Sequence, residues 1–264
     1  MARTPAHHAR NFLIQAVLLR DKVPSFREYP FNIPAIHDFY ELDFEQPVTF
    51  FIGENGSGKS TLLEAIAVRS GLNAEGGSRN FNFATRASHS PLTEYLRLTR
   101  SPRRMRDAYF LRAESYFNVA STIEALDREP TPAPPIINSY GGRSLHEQSH
   151  GESFFALFMN RLGGDGFYIL DEPEAALSPT RQLAFLSRLH ELVRAGSQFL
   201  IATHSPILMA YPDAAIYLLD NGAPNLIAYR ETEHYRVTRN FLTRTGQMLD
   251  ILLNPTDEDA VDIC

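Results

Sequence analysis

The chain has 264 residues, 44% of them hydrophobic, and a formal charge of −6. That length allows one or two domains with an ample core, and no apolar run reaches the roughly 18 residues a bilayer crossing takes. The acidic balance excludes a global basic footprint for nucleic acid, although a local patch remains possible. Cys264 is the single cysteine, so an internal disulfide is excluded, which suits a reducing, cytoplasmic compartment.

Met1 to Pro5 lacks the apolar core of a signal peptide, and His7-His8 has no third ligand and reads as a solvated tail. Phe12 to Leu19 reads as a strand. Asp21 to Pro34 carries Pro24, Pro30 and Pro34 and reads as a loop or broken edge strand. Ile36 to Phe44 partly alternates, and Val48 to Ile52 is the apolar run of a buried strand. Two strands ahead of that run predict an antiparallel annex on a parallel core.

Gly53-Glu54-Asn55-Gly56-Ser57-Gly58-Lys59-Ser60-Thr61 follows, with the spacing G-x-x-x-x-G-K-S. A helical composition comes next and stops at Gly71. Strand, glycine loop and helix in that order are the context of a phosphate-binding P-loop. Glycine backbone can turn with positive φ and bring N–H groups close to oxygen. Those groups and the positive end of the helix form an anion cradle. Lys59 would then reach the β- and γ-phosphates, and the Ser60 hydroxyl would ligate Mg²⁺.

Asn73 to Ser90 is irregular by composition, and Leu92 to Leu98 reads as helix. Arg97, Arg100, Arg103, Arg104, Arg106 and Arg112 form a basic cluster, either a solvated face or a contact for nucleic acid or an acidic partner. Ala108 to Leu111 reads as a strand, Ser121 to Arg128 as helix, and Glu129 to Pro135 as a proline loop. Ser149 and Glu152 have capping-box spacing and open a helix that Gly163 to Gly166 ends.

Phe167 to Leu170 is a strand that delivers Asp171-Glu172. At a strand end downstream of a P-loop, Asp171 would hold Mg²⁺ and Glu172 would orient and deprotonate the attacking water. Pro179 to Arg194 reads as helix and Phe199 to Ala202 as another buried strand, ending at Thr203-His204. His204 falls where the γ-phosphate of a parallel-sheet site would sit. Asn221-Gly222 signals a hairpin between Ala215–Leu219 and Leu226–Tyr229. A last helix covers about Thr238 to Leu253.

The set Gly53–Thr61, Ser149-His150-Gly151-Glu152, Ile169-Leu170-Asp171-Glu172-Pro173 and Thr203-His204-Ser205-Pro206 resembles the ABC-type ATPases. More narrowly it is similar to their soluble branch, which includes structural-maintenance-of-chromosomes and recombination-repair ATPase heads and small bacterial "AAA family" ATPases. The resemblance implies an α/β P-loop NTPase of ABC type: a mostly parallel core sheet flanked by helices, with an antiparallel β annex and a helical insert over about residues 72–148. The resemblance covers about Asp38 to Leu219; residues 1–255 read as one such domain, and the acidic residues 256–264 read as a disordered tail. It also implies ATP and Mg²⁺ as cofactors and a homodimer with nucleotide at its interface. Ser149 and Gly151 match the signature that meets the partner subunit's γ-phosphate. The sequence departs from the family at His150 and Glu152, where Gly and Gln are usual, and at Ser178, where Asp is usual. The family's Q-loop Gln is missing at its expected place; Glu114 stands in for it, either as a neighbour of Mg²⁺ or as a structural residue.

The function so implied is an ATP-hydrolysing, ATP-gated dimeric switch that acts on a protein partner in DNA maintenance or a defence-type system. Two alternatives stand beside it. One is the motor subunit of a membrane transporter, and the other is a nucleotide-sensing regulator with little turnover.

Overall fold

The structure is a computed structural model that describes residues 11–74, 76–78, 90–112, 123, 126–128, 134–140, 142, 150–220 and 222–254. By packing, the chain divides into two compact units, Met1–Leu226 and Ile227–Cys264.

The first unit holds two sheets. Strands β1 (Leu13–Leu18) and β2 (Glu41–Asp43) pair antiparallel, and β1 also pairs antiparallel with β5 (Leu96–Arg100), giving the order β2-β1-β5. This is the expected annex. The larger sheet has the order β10-β9-β3-β8-β7-β6-β4. Its strands β3 (Val48–Ile52), β6 (Asp107–Arg112), β7 (Gly166–Asp171), β8 (Gln198–Ala202) and β9 (Ala215–Leu218) run parallel. The short edges β4 (Gly77–Ser78) and β10 (Asn225–Leu226) are antiparallel. Every residue of β3, β7 and β8 is buried, the continuous burial that central parallel strands require.

Among the helices, α1 (Pro34–His37) is a single turn ahead of the P-loop strand. Helix α2 (Lys59–Arg69) packs on β5 of the small sheet and on β7 and β8 of the large one. It buries Leu62, Leu63, Ala65, Ile66 and Ala67, which cover more of its circumference than the single stripe of a surface helix. Gly71 closes it with φ 85°, as its composition predicts. Phe12, Phe39 and Phe44 from the annex side meet Phe51, Phe110 and Phe167 of the large sheet in one core around α2. Helices α3 (His150–Asn160) and α4 (Pro179–Arg194) follow; Pro179 is at N1, and Ser178 caps α4 by accepting from the Arg181 N–H.

Several expectations change. Leu92–Leu98 is not one helix: Pro91–Tyr95 is a 3₁₀ turn and Leu96 begins β5. Residues 72–148 therefore hold β4, β5 and β6, with helix seen among their described residues at Ile123, Leu126 and Asp127 and in 3₁₀ turns. Ile36–Phe44 contains the end of α1 and only a three-residue strand. In the second unit the predicted Thr238–Leu253 helix is two: α5 (Glu233–Thr243), capped by the Thr232 hydroxyl, and α6 (Thr245–Leu253), with a break at Arg244. The acidic tail from Thr256 lies outside the described residues.

Candidate functional site

Parallel strands deliver their C-terminal ends to one edge of the sheet. Here β7, β8 and β3 are neighbours, and their register pairs Asp171 with Ala202 and Ala202 with Phe51. The P-loop, the Asp171-Glu172 pair and His204 therefore come together although they are far apart in the chain. Ligand sites of open α/β sheets form at such carboxyl edges.

The loop leaves β3 through Gly53, and Gly53, Gly56 and Gly58 have φ of 144°, 85° and 98°. A Cβ at Gly53 would lie 2.0 Å from the Leu219 carbonyl oxygen, so only glycine fits where the loop is pinned to the end of β9. Lys59 is 4% exposed and its Nζ donates to the Gly53 and Glu54 carbonyls, at 2.8 Å each. Burial pulls the Lys59 ammonium below its ordinary pKa, while the charges of Glu172, Asp171 and Glu174 act against that shift. The Ser57 hydroxyl oxygen is buried without a hydrogen-bond partner among the described residues, an orphan that an anion in the loop would satisfy.

Asp171 closes β7 and is 6% exposed. The Ser60 hydroxyl donates to its Oδ1 at 3.0 Å. A hydroxyl and one carboxylate are hard oxygen ligands, the partial set that Mg²⁺ takes when phosphates and water complete its shell. Among the described residues, no three His, Cys, Asp or Glu side chains gather to hold a metal ion.

Glu172, next in the chain, is left-handed (φ 51°, ψ 53°), a conformation costing a non-glycine residue roughly 1–2 kcal/mol. Its own N–H is tied to the Ala202 carbonyl at 3.0 Å, which holds the turn. Strain of this kind clusters at sites where a side chain must be aimed. The Glu172 carboxylate is half-exposed, and its Oε1 lies 3.6 Å from His204 Nε2. His204 in turn is fixed through its backbone N–H, which donates to Glu174 Oε1 at 2.5 Å. Glu174 is partly buried, and desolvation pushes its carboxyl above the ordinary value. The sequence reading passed over Glu174, although it belongs to the same Asp171-Glu172-Pro173-Glu174 run.

Ser149 lies outside the described residues, as does Glu114. Gly151 is in the first turn of α3, and a Cβ there would lie 2.3 Å from the Ala176 carbonyl oxygen. The glycine thus lets the start of α3 approach the loop that follows Glu172. Glu152 does not stand as a bare charge, since its Oε1 is 3.7 Å from Arg181 Nη2.

The basic cluster does not form one surface. Arg112 is half-buried and binds Glu64, with Nη1 to Oε2 at 2.7 Å. Arg103 pairs with Asp165 and lies 4.5 Å from the Phe12 ring centroid. Arg97, Arg100, Arg104 and Arg106 are exposed.

A family model described as "AAA domain" matches residues 26–104, and one described as "AAA domain, putative AbiEii toxin, Type IV TA system" matches residues 137–210. Among solved structures, MJ1267, an ATP-binding cassette of an ABC transporter, aligns at 17% identity with a TM-score of 0.50, covering 92% of this chain and 98% of its own. The fold is that of an ATP-binding cassette. Two curated relatives are 26% identical to the chain. They are the ABC transporter G family member STR2 of Medicago truncatula, over 192 residues, and the hemin import ATP-binding protein HmuV of Pseudomonas aeruginosa, over 206 residues. The matches cover 66% and 68% of this chain, and the chain spans 26% of STR2 and 75% of HmuV. Among the described residues, no helix of this P-loop chain is long and apolar enough to cross a membrane.

Proposed function

We propose that the chain binds Mg·ATP at the edge formed by β3, β7 and β8 and hydrolyses it. The Ser60–Asp171 contact at 3.0 Å carries this reading, because it joins the P-loop helix to the acidic strand end across 111 residues of chain. Lys59, now turned onto the Gly53 and Glu54 carbonyls, would exchange them for phosphate oxygens. Ser60 and Asp171 would hold Mg²⁺, which when bound offsets the phosphate charge. Glu172 takes the proton of the attacking water, and His204, beside it, holds that water or the phosphate oxygen facing it.

Two composite sites in a homodimer, each completed by the partner's Ser149–Gly151 segment, would make hydrolysis a switch between closed and open states. The output best supported is action on a protein partner in a DNA-maintenance or defence-type system. The model matching residues 137–210, whose description names a toxin of a toxin–antitoxin system, favours the defence side. Arg97 and Arg104 are exposed members of the basic cluster that could meet nucleic acid or an acidic partner, whereas the exposed Arg100 and Arg106 already contact the Arg69 carbonyl and Asp165. The similarity to HmuV favours a second reading, the motor subunit of a transporter; co-purification with a membrane permease would select it.

The test is Glu172→Gln. The variant is expected to bind Mg·ATP as wild type does, to lose about 10²–10⁴ in turnover, and to accumulate as an ATP-bound dimer on a sizing column. An unchanged kcat would move the base elsewhere, with His204 the next candidate. A wild-type protein that binds ATP but shows no steady-state hydrolysis would instead be a nucleotide sensor.

A further inference from the structure

Arg112 ends β6, directly opposite Asp171 in the parallel register of β6 and β7. Paired positions on neighbouring strands place their side chains on the same face. On that face lies Glu64 of α2, five residues beyond Lys59. Arg112 Nη1 meets Glu64 Oε2 at 2.7 Å, and Arg112 Nε lies 3.9 Å from Asp171 Oδ2. Glu64 Oε1 accepts the Ser90 N–H at 2.9 Å, so both of its oxygens are engaged.

The two distances separate the two roles. At 2.7 Å the contact with Glu64 is a charge-assisted hydrogen bond that fixes the guanidinium. At 3.9 Å the contact with Asp171 is too long to be a hydrogen bond, so it acts through charge rather than through geometry. Asp171 does not depend on Arg112 for its position. Its backbone is held between β6 and β8, and its Oδ1 receives the Ser60 hydroxyl. What Arg112 adds is a permanent positive charge beside the carboxylate proposed to take a divalent cation. In a partly buried site such a charge is weakly screened.

We propose that Arg112 is an electrostatic positioning residue that limits the affinity of the Asp171 site for its divalent cation, and that Glu64 sets how strongly it does so by drawing the guanidinium toward α2. The inference rests on the Ser60–Asp171 metal reading. With Glu64 ionised, the field of Arg112 at Asp171 is partly cancelled. Without that charge the guanidinium bears fully on Asp171, and the cation competes with it on worse terms.

The two residues therefore predict shifts of opposite sign. The measurement is Mn²⁺ binding to the ADP-loaded protein, followed by electron paramagnetic resonance, with ADP affinity in EDTA determined separately for each variant. Arg112→Gln is expected to tighten Mn²⁺ binding by roughly tenfold. Arg112→Lys, which keeps the charge, should stay near wild type. Glu64→Gln, whose amide oxygen can still accept from Ser90, should loosen binding several-fold. The double variant should follow Arg112→Gln, because nothing is left for Glu64 to restrain. Mn²⁺ binding that is unchanged or weaker in Arg112→Gln overturns the proposal, and so does a lysine variant that behaves like the glutamine. If Arg112→Gln does not fold, Glu64→Gln still decides: looser Mn²⁺ binding supports the proposal, and unchanged or tighter binding overturns it. Asp171→Asn distinguishes the layers: it should abolish tight Mn²⁺ binding, and if it does not, the metal reading itself is wrong.

Discussion

Glu174 is a carboxylate placed where its charge is costly. Burial raises its pKa above the ordinary 4.5, and the hydrogen bond from the His204 N–H only partly opposes that. A raised folded-state pKa means that the group's contribution to stability is intact below about 4.5 and is lost as pH rises through the folded value. Glu174→Gln removes that loss while keeping an oxygen for the His204 N–H. The melting temperature of the variant relative to wild type should therefore climb from pH 4 to pH 8 and level off once the wild-type group has ionised. A difference that stays flat over this range would show that Glu174 does not titrate as its burial implies. Sequence pattern could mark Asp171 and Glu172, because an acidic pair at a strand end after a P-loop is itself the signal. It could not mark Glu174 or the Arg112–Glu64 couple. Their roles depend on contacts spanning 30 and 48 residues, to which local spacing is blind.

At the scale of elements, a buried amide helps tie the two sheets together, beside the Tyr217 hydroxyl that donates to the Asp43 carbonyl at 2.9 Å. Gln198 opens β8 and is fully buried; its Oε1 accepts from the Phe12 and Leu13 N–H groups and its Nε2 donates to the Leu13 carbonyl, each at 2.9 Å. Gln198→Leu keeps most of the volume and strands those backbone groups. Each buried, unpaired group costs about 1–3 kcal/mol, so a loss of roughly 2–5 kcal/mol is expected in urea unfolding. A loss below about 1 kcal/mol would mean that β1 is held by its own sheet alone. The elements that were readable are those whose signal is local. The apolar runs of β3, β7 and β8 and the proline start of α4 fall in this class. Leu92 and Leu96 are both buried four apart, a helical spacing, yet the chain satisfies it with a 3₁₀ turn and a strand. The deciding term is the pairing of Leu96–Arg100 with β1, a contact across the chain that periodicity does not carry.

At the scale of the molecule, the open question is whether one chain makes a complete site. The P-loop, Asp171, Glu172 and His204 converge within one subunit, whereas the segment resembling the family signature begins at Ser149, immediately before α3. If that segment serves the partner's nucleotide, Lys59→Ala and Ser149→Arg should each be inactive alone for different reasons. Lys59→Ala removes the charge that clamps the phosphates, while Ser149→Arg puts a long cation into the closed interface and leaves its own P-loop intact. A mixed dimer then holds one complete site, formed by the P-loop of the Ser149→Arg subunit and the unaltered Ser149 of the other. Mixing the two inactive proteins should restore ATP hydrolysis, to at most about half of wild type per dimer if the sites act independently. Ser149→Ala, which removes the hydroxyl without added bulk, replaces the arginine variant if the interface cannot close around it. Hydrolysis by Ser149→Arg alone at the wild-type rate would show that the segment is only a helix start, and that each subunit works by itself.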